Sequence, residues 1–229
     1  MPRLLAPLVA LVALVPLPLF LTSCLGKASN EVAPPVDTGP FAAISTDIQD
    51  STSAPAAAIL LVTAHVTHDG AAIPGAAIKF TVAAGSGLLS VDSTSTDTLG
   101  VATVLWTLGD TASRVNTLAI VSGDGQDSLH VIAVTGSPSY LVPVSSAPND
   151  VAAGTPLTLQ VRVTDRPGNA VAGATVFWTT TGGTLSSASS QTDGTGVAGV
   201  TLTSSQTGSF TVSAVLPETA TRDFQVNVH

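Results

Sequence analysis

Past the first forty residues, apolar and polar positions alternate in short runs. Leu157-Thr-Leu-Gln-Val-Arg-Val-Thr164 carries an apolar side chain at every second position, the period of a strand with one face in a core and the other in water. Leu60-Leu-Val-Thr-Ala-His-Val-Thr67 shows the same pattern 97 residues earlier. No stretch beyond the leader holds a helical period over ten residues, and β-branched Val and Thr dominate. Turn-forming clusters separate the runs, as in HDGAAIPG at His68–Gly75 and DRPGNAVAG at Asp165–Gly173. The pattern predicts an all-β protein.

A repeat underlies it. Thr96–Val104 reads TDTLGVATV and Thr192–Val200 reads TDGTGVAGV, identical at six of nine positions. The second copy contains GTGVAG, the spacing of a dinucleotide-binding loop. The first copy has only Gly100, and in both copies the chain continues as a strand, where a phosphate loop needs a helix. The glycines are therefore read as turn residues, with Gly100 and Gly196 supplying a backbone shape that larger residues resist. GAAIKFTV at Gly75–Val82 corresponds to GATVFWTT at Gly173–Thr180, with Ile78, Phe80, Val176 and Trp178 inward. DSLHVIAV at Asp127–Val134 corresponds to RDFQVNV at Arg222–Val228. Two units of about 95 residues, each with about seven short strands, predict tandem β-sandwiches.

The Asp165–Gly173 turn, the TD…GVA…V block, and Trp106-Thr-Leu-Gly109 followed by Asn116-Thr-Leu118 resemble bacterial immunoglobulin-like domains. The likeness is to the invasin and intimin group of surface proteins, and it runs from about Phe41 to His229. It implies two tandem immunoglobulin-like Greek-key β-sandwiches, used in stalks and adhesive arms, without a conserved active site. The first unit departs from the pattern at STDIQDSTSAPAAA, which leaves its first strand unassigned. Fold alone assigns no function.

The leader changes the expected address. Met1-Pro-Arg is followed by an apolar run to Leu21 and then by Thr22-Ser-Cys24, the layout of an export signal. Pro7, Pro16 and Pro18 interrupt a run already short for a membrane span. Cys24 is the only cysteine, so it has no internal disulfide partner. LTSC at Leu21–Cys24 resembles the lipobox of bacterial lipoproteins. That resemblance implies cleavage before Cys24 and lipid attachment there; an ordinary signal peptide ending near a free thiol is the alternative. Leu25 occupies the place where an aspartate often marks inner-membrane retention, which favours an outer membrane. The expected organisation is a lipoprotein signal peptide over 1–23 and a lipid-anchored linker over 24–40. Ig-like domains follow over 41–136 and 137–229. The linker, LGKASNEVAPPVDTGP after the cysteine, could reach at most about 55 Å.

Charge and composition narrow the chemistry. The chain has 15 acidic and 7 basic residues, a net of −8, which would repel a phosphate backbone and excludes nucleic acid as a partner. There is no G-x-S-x-G and only four histidines. His65 and His130 correspond to Arg162 and Gln225 in the second unit, His68 falls in a turn, and His229 is terminal. Neither a hydrolase nor a zinc site is expected from that spacing. The turn Gly123-Asp-Gly-Gln-Asp127 offers Asp124 and Asp127 as calcium ligands, with a further carboxylate from a domain junction near Asp150, or it is simply a hairpin turn. Trp106 and Trp178 read as core residues, whereas Phe177 falls on an outer face. No enzyme activity, cofactor or metal is expected. The leading expectation is a lipid-anchored envelope protein whose domains act as spacer or as adhesion or protein-binding module. A module binding glycan or cell-wall polymer is the alternative, and a diverged hydrolase accessory protein the weaker one.

Overall fold

The computed structural model describes residues 42–145 and 150–229. The leader, Cys24 and the linker lie outside the described residues. The described residues belong to one compact unit. Every regular element among the described residues is a strand.

The first sandwich contains β1 (Ala43–Thr46), β2 (Thr52–Pro55), β3 (Ile59–His68), β4 (Ala71–Ala72) and β5 (Ala77–Ala84). It continues with β6 (Leu88–Leu89), β7 (Ser93–Ser95), β8 (Val101–Thr107), β9 (Arg114–Ser122) and β10 (Gly125–Val134). The second contains β11 (Tyr140–Pro143), β12 (Asp150–Val151), β13 (Leu157–Thr164), β14 (Thr175–Thr180) and β15 (Thr184–Leu185). It is completed by β16 (Ser189–Gln191), β17 (Val197–Thr203), β18 (Gly208–Leu216) and β19 (Ala220–Val228).

Both sandwiches use one wiring. The sheets of the first run β1-β3-β8-β6, with β4 beside β3, and β2-β10-β9-β5-β7. Those of the second run β11-β13-β17-β15 and β12-β19-β18-β14-β16. The repeat seen in the sequence is thus a repeat of sheet order. The unassigned start of the first unit has a definite role. β1 pairs antiparallel with β3 in one sheet, then the chain crosses and β2 pairs parallel with β10 in the other. β11 and β12 make the same switch in the second sandwich.

Each sandwich closes its own core. Val62, Ile78, Phe80, Val104, Trp106, Leu118 and Leu129 fill the first, and Leu159, Val176, Trp178, Leu202, Val212 and Phe224 the second. Trp106 is 0% exposed and Trp178 2%, as the alternation predicts. The bulk is distributed differently. The repeat sets Phe80 against Trp178 and Trp106 against Leu202, so one core holds Phe and Trp where the other holds Trp and Leu. The Trp178 indole donates to Ser190 Oγ at 2.8 Å and its ring lies 6.5 Å from that of Phe224. The buried Trp106 Nε1 has no hydrogen-bond partner.

Candidate functional site

The repeated TD block is a locking turn. Thr96 Oγ1 donates to the Ile73 carbonyl at 2.6 Å and accepts from Ala76 N–H at 2.9 Å. Thr192 does the same with Val171 and Ala174, at 2.7 and 2.9 Å. Asp97 Oδ1 accepts from the N–H groups of Leu99 and Val101, and Asp193 Oδ1 from those of Thr195 and Val197. Those bonds, from Val197 first and then Thr195, hold the Asp193 carboxyl below its ordinary value. Gly100 and Gly196 sit at φ +72° and +77°. A Cβ there would lie 2.8 Å from the Val66 carbonyl oxygen, or 2.9 Å from that of Val163. Conformation and space both require glycine, and the chain runs on into β8 and β17 rather than into a helix.

A buried carboxylate with several hydrogen bonds joins the two sandwiches. Asp165, only 1% exposed, follows β13. Its Oδ2 accepts from Gly136 N–H at 2.9 Å, on the segment leaving β10. Its Oδ1 accepts from Gly168 N–H at 3.0 Å and Asn169 N–H at 2.7 Å. Asn169, fixed by that carboxylate, reaches the first sandwich. Its Oδ1 accepts from Ala112 N–H at 2.9 Å, and its Nδ2 donates to the Asp110 carbonyl at 2.8 Å. Burial alone would raise the Asp165 pKa, but the bonds from Gly136, Asn169 and Gly168 outweigh it and hold the carboxyl below its ordinary value. A hollow of ≈300 Å³ beside this junction is lined by Pro55, Gly136, Asp165, Arg166 and Pro167, among others. Alignment of the two repeats puts His68 and Ala71 at the places of Asp165 and Asn169, so the repeat could not signal the junction.

The histidines stay apart. His65 Nε2 lies 2.9 Å from Asp47 Oδ1, and His130 Nδ1 lies 2.8 Å from Asp50 Oδ1. Both aspartates belong to the segment that crosses from β1 to β2, so the pairs clasp it to the two sheets. The His130 N–H and then its side chain hold the Asp50 carboxyl low. His68 Nε2 is 3.5 Å from Asp69, and His229 contributes its backbone N–H to the Val151 carbonyl.

Asp124 and Asp127, the alternative calcium ligands, lie at one hairpin turn. Their turn closes the β9–β10 hairpin, where Ser122 pairs with Gly125. Asp127 Oδ1 is engaged by Ser128 N–H at 2.8 Å. Asp150, the supposed third ligand, accepts from Asn227 Nδ2 at 2.9 Å on β12 in the second sandwich, and the junction is built around Asp165. Among the described residues no group of three or more His, Cys, Asp or Glu is placed to hold a metal ion. A second hollow, ≈380 Å³, is lined only by Gly154, Gly183, Thr184, Thr203, Ser204, Ser205 and Gln206. Neither hollow brings a histidine to a serine. Phe177 stands outward on β14, 45% exposed, as the alternation predicts.

The chain is similar to several known proteins. Residues 144–229 match the family described as bacterial Ig-like domain (group 1). The inverse autotransporter adhesin YeeJ of Escherichia coli (strain K12) is 32% identical over 168 residues, covering 71% of this chain. This chain spans only 7% of that relative's length. Among solved structures, the D0-D1 domain of intimin is 26% identical, with 80% of this chain and 97% of that one covered and a TM-score of 0.34. The Escherichia coli adhesin FdeC is 20% identical, with 86% and 65% covered and a TM-score of 0.47. The second sandwich is a bacterial Ig-like domain of group 1, and the first shares its sheet order.

Proposed function

We propose that this tandem of bacterial Ig-like domains is a lipid-anchored arm of the cell envelope, holding a protein- or polymer-binding surface at a set distance from the membrane. In this reading residues 1–23 are removed on export, Cys24 carries the lipid, 24–40 is the tether, and 41–136 and 137–229 are the two domains. An outer membrane is the favoured location. The observation that carries it is the junction. A pair of independent binding modules on a string has no use for a buried carboxylate between them, whereas a spacer needs its units fixed. Asp165 and Asn169 supply that fixation through bonds to Gly136, Ala112 and Asp110. The adhesin relative supports adhesion as the use of such an arm.

The test is a D165A/N169A variant, lipidated and abundant to the same level as the normal protein, in a whole-cell binding or envelope-integrity assay. The variant should lose function while circular dichroism shows both sandwiches folded. Full function with a loosened junction contradicts the spacer reading.

A further inference from the structure

The hollow of ≈380 Å³ opens at the end of the second sandwich opposite the junction. β13 starts beside it and finishes next to Asp165. The side chains that line it are hydroxyls and one amide, from Thr184, Thr203, Ser204, Ser205 and Gln206. The Ser204 hydroxyl is engaged with the Gln206 backbone, accepting from its N–H at 3.1 Å and donating to its carbonyl at 2.9 Å. The other four residues are exposed, and among the described residues their side chains have no hydrogen-bond partner. A sheet face continues this surface. Thr184 stands opposite Thr203, and Thr158 opposite Thr201 with the two hydroxyls 3.3 Å apart. The first sandwich has the same wiring and different chemistry here. Leu88 stands opposite Thr107, Leu61 opposite Leu105, and Leu108, 2% exposed, takes the place of Ser204. The fold therefore requires neither the hydroxyls nor the space.

We infer that this hollow and its threonine rim bind a neutral glycan, with one sugar ring seated in the hollow. Chemistry selects the ligand. A sugar hydroxyl both donates and accepts, and the Ser and Thr hydroxyls and the Gln amide that face it do the same. No Lys or Arg lines the hollow, so nothing there would hold a phosphate, sulfate or uronate group. The net charge of −8 repels anionic polymers as well. The ionisable groups of the surroundings stand aside from the lining. Arg162 lies further along β13, opposite Val197 and toward the junction. Asp150 and His229 are at this end but belong to the other sheet, where Asp150 accepts from Asn227 Nδ2. A peptide strand would find in β15 an edge of 2 residues, a poor template for pairing, and no apolar socket for a side chain.

Size and solvation set the strength. The hollow is at the small end of ligand pockets, which span about 300–1,000 Å³. Its hydrogen bonds replace bonds to water and gain little, so a dissociation constant of about 1 mM is expected. Weak sites of this kind add up where many copies stand side by side. That use deepens the proposed arm by naming what its far end meets, and it rests on the membrane-anchored reading; the binding itself does not.

Amide NMR of residues 36–229, within which both cores close, tests it with maltotetraose, cellotetraose and chitotetraose, each to about 10 mM. At least one sugar should shift the signals of Gly154, Gly183, Thr184 and Ser204–Gln206, with a dissociation constant of about 1 mM. T184L/S204L installs the leucines that the first sandwich carries at these places and should weaken the response about tenfold or more. S205A/Q206A, at two exposed positions, should weaken it too and leaves the core untouched. Silence toward all three sugars overturns the inference, as do shifts confined to other residues or a normal response in both variants. Tetragalacturonate binding more tightly at the same signals overturns it in favour of an anion site, and tetra-alanine doing so in favour of a peptide site. The titration involves no lipid, so a failed glycan site and a failed anchor at Cys24 are told apart.

Discussion

Asp165 holds Asn169 at both ends: its carboxylate accepts the Asn169 backbone N–H at 2.7 Å and lies 3.1–3.2 Å from the side-chain Nδ2. The side chain so fixed bonds to the other sandwich. Asn169→Ala removes two bonds across the junction, each worth about 0.5–1.5 kcal/mol. The two cores do not depend on it, so the unfolding midpoint of each sandwich should move little. Small-angle scattering should instead show a broader distribution of interdomain distances. An unchanged distribution would mean that the segment around Gly136 fixes the junction alone.

The junction should loosen in acid. The folded-state pKa of Asp165 is depressed below the unfolded value of about 3.9. Its stabilisation is fully present above that value and is lost as pH falls through the lower, folded one. Asp50 and Asp193 are depressed as well and act in the same direction. Scattering and urea titrations from neutral pH downward should stay flat to about pH 4 and fall below it. Asp165→Asn should flatten the interdomain part of that fall, and an equally steep fall in the variant would assign it elsewhere.

The two tryptophans should respond unequally to the same change. Trp178→Phe breaks a bond to Ser190 as well as packing, whereas Trp106→Phe removes a buried N–H that has no partner. An unpaired buried polar group costs about 1–3 kcal/mol, which offsets the packing lost at Trp106. The Trp178 variant should therefore be the less stable by roughly 1–3 kcal/mol in urea denaturation. Truncation of Trp178 to Ala should cost roughly 3–5 kcal/mol. Equal losses for the two Phe variants would show that packing dominates at both sites.

Lipidation is tested at one atom. Labelled fatty acid should mark the normal protein and not Cys24→Ala, which would accumulate unprocessed or soluble. Equal labelling of both proteins would remove the lipid anchor and with it the tether.

The strands and cores were legible because alternation fixes which face of a strand is buried: Trp106, Trp178 and Phe177 lie where the pattern puts them. The roles of Thr96, Asp97, Thr192 and Asp193 were available in principle, since they are identical in both copies of the turn. Their bonds run to backbone groups brought close only by the fold. β1 and β2 were hidden because each is short and partly exposed, and their pairing is set by the crossing between sheets rather than by their own pattern. Asp165 and Asn169 were hidden for the opposite reason. Their partners Gly136, Ala112 and Asp110 belong to the other sandwich, and a comparison of repeats finds only what the repeats share. That the exposed Leu61 and Leu105 stand opposite each other on β3 and β8 emerges only from the register.

The most direct measurement sets two altered proteins against each other in one whole-cell binding or envelope-integrity assay. One carries Gln at His65, His68 and His130; the other ends before Ser139 and so lacks the second sandwich. The first sandwich keeps its own core, so the truncated protein should fold. Both must be equally lipidated and equally abundant. Each His–Asp contact is a local clasp, so the triple variant should retain function, and the truncation should lose it through shortened reach and a missing distal face. A dead triple variant beside an active truncation would contradict the spacer-and-contact account and point to chemistry in the first sandwich.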